Sequence, residues 1–165
     1  VSGYALSSLI TNVLAEEIRP ILSKYGFDEL ELEAWYPQQM ALDALYSISN
    51  NIGDSLALVA VGRQVIDAAT LPPHINSFEE AVGAISMIYD LNHRNHSEKV
   101  GIFVKKVDDR HLQVTNATPY PDDLIYGYLY SIITRFRAER TNPLLKYRDV
   151  ANVNSDGDMV YDITY

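Results

Sequence analysis

The stretch that decides the fold is Ser77-Phe78-Glu79-Glu80-Ala81-Val82-Gly83-Ala84-Ile85-Ser86, together with Val100-Gly101-Ile102-Phe103-Val104 a little downstream. Between them the hydrophobic period changes from helical to extended. Ser77 followed three residues later by Glu80 has capping-box spacing. The spacing predicts a helix whose buried side carries Phe78, Ala81, Val82, Ile85, Ile88 and Tyr89 and which ends near Asn92. From Lys99 the pattern shortens. Val100, Ile102, Val104 and Val107 predict one strand, Leu112, Val114 and Ala117 a second, and Asp108-Asp109-Arg110 the turn between them.

Working outward towards the C-terminus, Tyr120-Pro121-Asp122-Asp123 opens another helix, with proline in the first turn and two carboxylates beside the positive end of the dipole. Leu124, Ile125, Tyr128, Leu129, Ile132, Ile133 and Phe136 fill that helix, and Arg135, Arg137 and Arg140 suit its negative end. Leu144 to Val153 and Met159 to Thr164 read as two further strands around the turn Asn154-Ser155-Asp156-Gly157. The second half is therefore strand–strand–helix–strand–strand, and its short hairpin links favour antiparallel pairing.

Upstream the chain is helical. Leu6, Leu9, Ile10, Val13 and Leu14 predict an amphipathic helix from Tyr4 to about Glu17, with Pro20 expected to break or kink it. Pro37 starts a second helix buried through Met40, Ala41, Ala44, Leu45 and Ile48, and a third runs from about Asp54 to Ala69, before Pro72-Pro73. Gly62 falls inside that third helix, where close helix packing or access to a cavity would explain it. The expected fold is α+β: one domain over residues 1–165, helical in 1–95, with an antiparallel four-stranded sheet and one packed helix in 96–165.

Bulk properties exclude several functions. A chain of 165 residues without cysteine has no disulfide, thiolate zinc site, iron–sulfur cluster or cysteine nucleophile, and it suits a reducing cytoplasm. A net charge of −9 disfavours nucleic acid, whose phosphates need a basic surface. Residues 1–95 carry 12 acidic and only 4 basic side chains, so the helical half is the acidic one. No apolar run reaches the ~20 residues of a membrane span, and no signal-peptide pattern opens the chain. Val1 in place of Met is what a trimmed chain or a module of a longer protein would show.

On Phe78, Val100-Gly101-Ile102-Phe103 and Asp123-Leu124-Ile125-Tyr126-Gly127-Tyr128-Leu129, the chain resembles haem-nitric-oxide-binding (H-NOX) sensor domains. The resemblance is best over roughly residues 78–136. It implies an N-terminal helical part, then a helix leading into strand–strand–helix–strand–strand. It also implies an iron-binding His two turns into the Phe-initiated helix, and a Tyr-x-Ser-x-Arg motif gripping the haem propionates. By the same spacing Ser86 stands where that His would be, and Thr115, Ala117 and Pro119 stand where Tyr, Ser and Arg would be. A serine hydroxyl is a poor iron ligand beside imidazole, and no arginine here pairs with propionates. The resemblance therefore points to a haem-free sensor with no cofactor. The vinyl-reductase-type ligand-binding domains look similar in architecture and are associated with small-molecule sensing.

Val82, Ile85, Ser86, Ile102, Tyr126 and Tyr130 are the expected lining of an apolar pocket between the helical half and the sheet. A fatty acid or a free tetrapyrrole would suit it, signalling to a partner protein or to a second copy of the chain; a collapsed and empty pocket is the other outcome. The alternative is a pure dimerisation or protein-interaction domain with no ligand. Catalysis is not expected. Ser86 lies in no nucleophile-elbow sequence, and the adjacent carboxylates of Asp122 and Asp123 face different sides of a helix. His93 and His96 could reach a metal only with Asp90 or Glu98, and read more simply as an exposed polar link. Lys105, Lys106 and Arg110 form a basic strand edge, where a carboxylate could find a counter-charge or where charge resists aggregation. Among 12 tyrosines, Tyr120, Tyr126, Tyr128 and Tyr130 crowd one short stretch, suited to a pocket, an interface or ordinary core.

Overall fold

A computed structural model describes residues 1–7, 15–52, 56–68, 72–136, 144–146, 154 and 156–165. In the helical half lie α1 (Gly3–Ser7), α2 (Ala15–Lys24), a 3-10 turn (Phe27–Glu29), α3 (Gln38–Ile52) and α4 (Ala57–Ala68). Next come α5 (Phe78–Asn92), β1 (Gly101–Asp108), β2 (His111–Ala117), α6 (Asp122–Arg135), β3 (Leu144–Lys146) and β4 (Met159–Thr164). The sheet has the order β1-β2-β4-β3, every pair antiparallel, which is the α+β arrangement that the pattern predicts.

The capping box forms as expected. Ser77 Oγ accepts from the Glu80 backbone N–H, and the Glu80 carboxylate accepts from the backbone N–H groups of Ser77 and Asn76. Those bonds hold the exposed Glu80 carboxyl below its usual pKa. At the sheet, Leu112, Val114 and Asn116 of β2 alternate inward, so the inner face meets α5 and α6.

Two apolar clusters result. One joins α5 and α6 to the sheet through Val82, Ile85, Ile102, Val114, Leu129 and Tyr161. The other joins α2, α3 and α4 through Ile18, Phe27, Leu45, Ile48 and Val61, and receives Leu124 from α6. Helix α6 thus serves both cores. Its contact with α4 is backbone to backbone: a Cβ on Gly62 would lie 2.1 Å from the Leu124 carbonyl oxygen, and one on Gly127 2.3 Å from that of Val59. Close packing, not access to a cavity, accounts for Gly62.

Of the two outcomes expected at Pro20, a break does not occur: α2 runs through it to Lys24. Glu16 and Pro20 are both exposed, so water can take the freed carbonyl, while Ile18 and Leu22 are buried and hold the segment down. The parts of the predicted Tyr4–Glu17 helix over 8–14, the predicted strand over 147–153 and Ser155 lie outside the described residues. Among the described residues no helix is long and apolar enough to cross a membrane.

Candidate functional site

The predicted pocket residues separate into three groups. Val82, Ile85 and Ile102 are 0%, 5% and 3% exposed and pack together in the core shared by α5, α6 and the sheet. Ser86 is half-buried on α5, and Tyr126 is partly buried against the same core. Tyr130 lies outside. It is 40% exposed, its ring 6.3 Å from that of Tyr126 and 5.0 Å from the Arg63 guanidinium of α4. Tyr126 and Tyr130 do share a helix face, but Ile125, Leu129, Ile132 and Ile133 occupy the one that turns inward. The basic edge resolves into Lys106 paired with Asp109 at 3.0 Å, and Arg110 donating through Nε to the Tyr165 carbonyl at 2.5 Å.

The histidines depart from expectation as well. His93 is no exposed link. It caps the C-terminus of α5, stacks on the Tyr89 ring at 3.9 Å and uses both ring nitrogens. Nδ1 lies 2.7 Å from the Tyr89 carbonyl oxygen, and Nε2 lies 2.8 Å from the Tyr120 hydroxyl. A carbonyl can only accept, so Nδ1 carries the proton in the neutral ring, and the Tyr120 phenol donates to Nε2. Burial pushes the His93 pKa down and the Tyr120 phenol pKa well up, so both groups are held neutral. Tyr120 is itself positioned by Asn116. That side chain donates to the Tyr120 carbonyl oxygen at 3.3 Å and to Asp122 at 2.8 Å, and it accepts from the Thr118 backbone and hydroxyl. His96 sits 3.6 Å from Asp90, and His111 pairs with Asp162 at 2.7 Å on the sheet. Among the described residues no three metal-ligating side chains converge.

A cleft of about 360 Å³ opens beside His93, between residues 35–38 and 93–96, with Val1 at its rim. Ser2 ties these walls together. Its backbone N–H donates to the Asn92 carbonyl at 2.9 Å, its hydroxyl donates to the Asn92 side chain at 2.6 Å, and it bridges to Trp35. Across the mouth the Arg94 guanidinium lies over the Trp35 ring, 3.6 Å from its centroid. At the inner end the Gln38 side-chain nitrogen is buried beside the hydroxyls of Tyr89 and Tyr120. Sequence reasoning missed Trp35, Gln38 and Arg94. The signals it had were a single tryptophan and an arginine among only four cations in the first 95 residues.

With this geometry in hand, known proteins supply the frame. The chain has the H-NOX fold. An H-NOX protein from Shewanella oneidensis, solved in the Fe(II)NO ligation state, superposes with a TM-score of 0.72 over 99% of this chain and 98% of that chain, at 10% identity. An oxygen-binding H-NOX domain related to soluble guanylate cyclases, solved as its oxygen complex, superposes at 0.63 over 98% and 91%, at 12% identity. A solution structure of an H-NOX domain from Shewanella oneidensis in the Fe(II)CO state gives 0.68 over 99% and 98%, at 11% identity. No protein-family model matches the sequence, and no curated protein matches it.

Proposed function

We propose that the chain is a non-catalytic sensor domain that keeps the H-NOX fold but does not hold haem through histidine. The observation that carries this reading is the inner face of α5. Val82 and Ile85 pack directly onto Ile102 and α6, and the next residue, Ser86, offers only a hydroxyl. The residues present do not fit an iron porphyrin. The imidazole closest along the chain, His93, already spends both nitrogens on Tyr89 and Tyr120, and iron ligation would leave the Tyr120 phenol without its acceptor. Thr115, Ala117 and Pro119 provide no guanidinium for propionates.

A fatty acid or tetrapyrrole in the same interior would have to displace side chains that now fill it, at a cost that ordinary ligand contacts must exceed. Sensing through this fold therefore centres on α5, which is buried on one side and linked at its C-terminal end to both halves of the molecule through Ser2 and Tyr120. Titrating purified chain with ferric and ferrous haem tests the reading directly. The expected absorbance is that of free haem, with no stoichiometric Soret band of histidine-ligated iron. Such a band, formed at one equivalent and abolished on replacing His93, would overturn it.

A further inference from the structure

We propose that the cleft between residues 35–38 and 93–96 binds a small, flat monocarboxylate, with Arg94 as its counter-ion. This goes beyond the sensor reading and holds whether or not the interior takes haem, because the cleft lies at the end of α5 and outside the core.

Arg94 carries the inference. In a chain of 22 acidic and 13 basic residues, it makes no ion pair among the described residues. Its guanidinium carbon instead lies 3.6 Å from the Trp35 ring centroid, a stacking distance, and a guanidinium stacked on a ring keeps its N–H fork available to a carboxylate. A guanidinium already fixed in orientation loses less freedom when a planar carboxylate docks on that fork. The backbone is shaped to present it. The chain leaves α5 extended at His93 and then reverses at Asn95, whose φ of 60° is left-handed and unusual for a residue other than glycine.

The other walls suggest the rest of the ligand. Trp35, Tyr36 and Pro37 give flat apolar surface. About 360 Å³ lies near the lower end of the ~300–1,000 Å³ typical of small-molecule sites, so the body is small. Asp90 close by at His96 and a net charge of −9 both favour a monoanion over a phosphate dianion.

Trp35 is the single tryptophan, so its emission reports on this site alone. The test titrates the chain with phenylacetate, phenylacetamide and phenyl phosphate, following Trp35 emission and the backbone amide signals of Asn95 and His96. Phenylacetate is expected to saturate both readouts below about 1 mM, and phenylacetamide to change neither. Arg94→Met should weaken phenylacetate at least tenfold while its melting curve stays that of the parent, and Arg94→Lys should fall between. No saturation up to about 10 mM, equal binding of the amide, an unaffected Arg94→Met, or tighter binding of phenyl phosphate than of phenylacetate would each overturn the proposal.

Discussion

His93 shows how far a single side chain can depart from its sequence context. Asn92-His93-Arg94-Asn95-His96 is polar throughout, which reads as solvent-facing, yet the His93 ring is sandwiched between Tyr89 and Tyr120 and hydrogen-bonded at both nitrogens. Its pKa, pushed down from 6.5 chiefly by burial, sets a pH dependence. The unfolded chain takes up the proton first as pH falls, so the contribution of neutral His93 is complete above about 6.5 and is lost as pH drops towards the folded pKa. Denaturant titrations between pH 5 and 8 should show stability declining below about 6.5, with the decline reduced in His93→Gln. A titration midpoint for the His93 ring at or above 6.5 by NMR would contradict this. Tyr120→Phe leaves Nε2 buried without a donor and should cost about 1–3 kcal/mol. Neither partner was legible beforehand, because the contact joins the end of α5 to the link between β2 and α6. Only the folded chain brings those together.

At the scale of elements the sequence was far more readable, for physical reasons that differ by element. Ser77 and Glu80 announce the start of α5 through bonds made within four residues, so local chemistry suffices. The β1–β2 hairpin is likewise local, its turn held by Asp108 accepting from the Arg110 N–H at 2.8 Å. Pro20 does not break α2 because tertiary burial of Ile18 and Leu22 outweighs one lost helical bond. The direction in which Tyr126 and Tyr130 point was similarly hidden, since a helical face is periodic but its partner is not written in the period. The contact of α4 with α6 gives the sharpest prediction at this scale. Gly62→Ala and Gly127→Ala each drive a methyl into a backbone carbonyl, which cannot rotate away as a side chain would. Each should cost about 3 kcal/mol or more, above the cost of ordinary overpacking. Gly83→Ala, on the exposed side of α5 with nothing within 4 Å of the added methyl, should be neutral or slightly stabilising. Denaturation midpoints of the three variants check this, and a Gly62→Ala protein as stable as the parent would show that the helices can separate at little expense.

For the molecule as a whole, the consequence of α6 serving both cores is mechanical. Leu124 belongs to the helical core and Ile125, its neighbour, to the sheet core, while Tyr120 and Tyr128 pack against both. The helical half therefore cannot rotate against the sheet without disturbing the packing of α6 on α4, where the two glycines leave no slack. The link between Ser2 and Asn92 adds a second tie at the far end of α5. A domain joined in this way should unfold in one step, so helix content in the far ultraviolet and aromatic packing in the near ultraviolet should be lost at the same denaturant concentration. Leu124→Ala removes a side chain that is 1% exposed at the junction and should cost about 2–5 kcal/mol. If the halves are coupled, both signals in that variant shift together with an unchanged m-value. Early loss of helix signal while the aromatic signal persists would mean that the cores are separable units, and that a ligand at either one could reach the other only weakly.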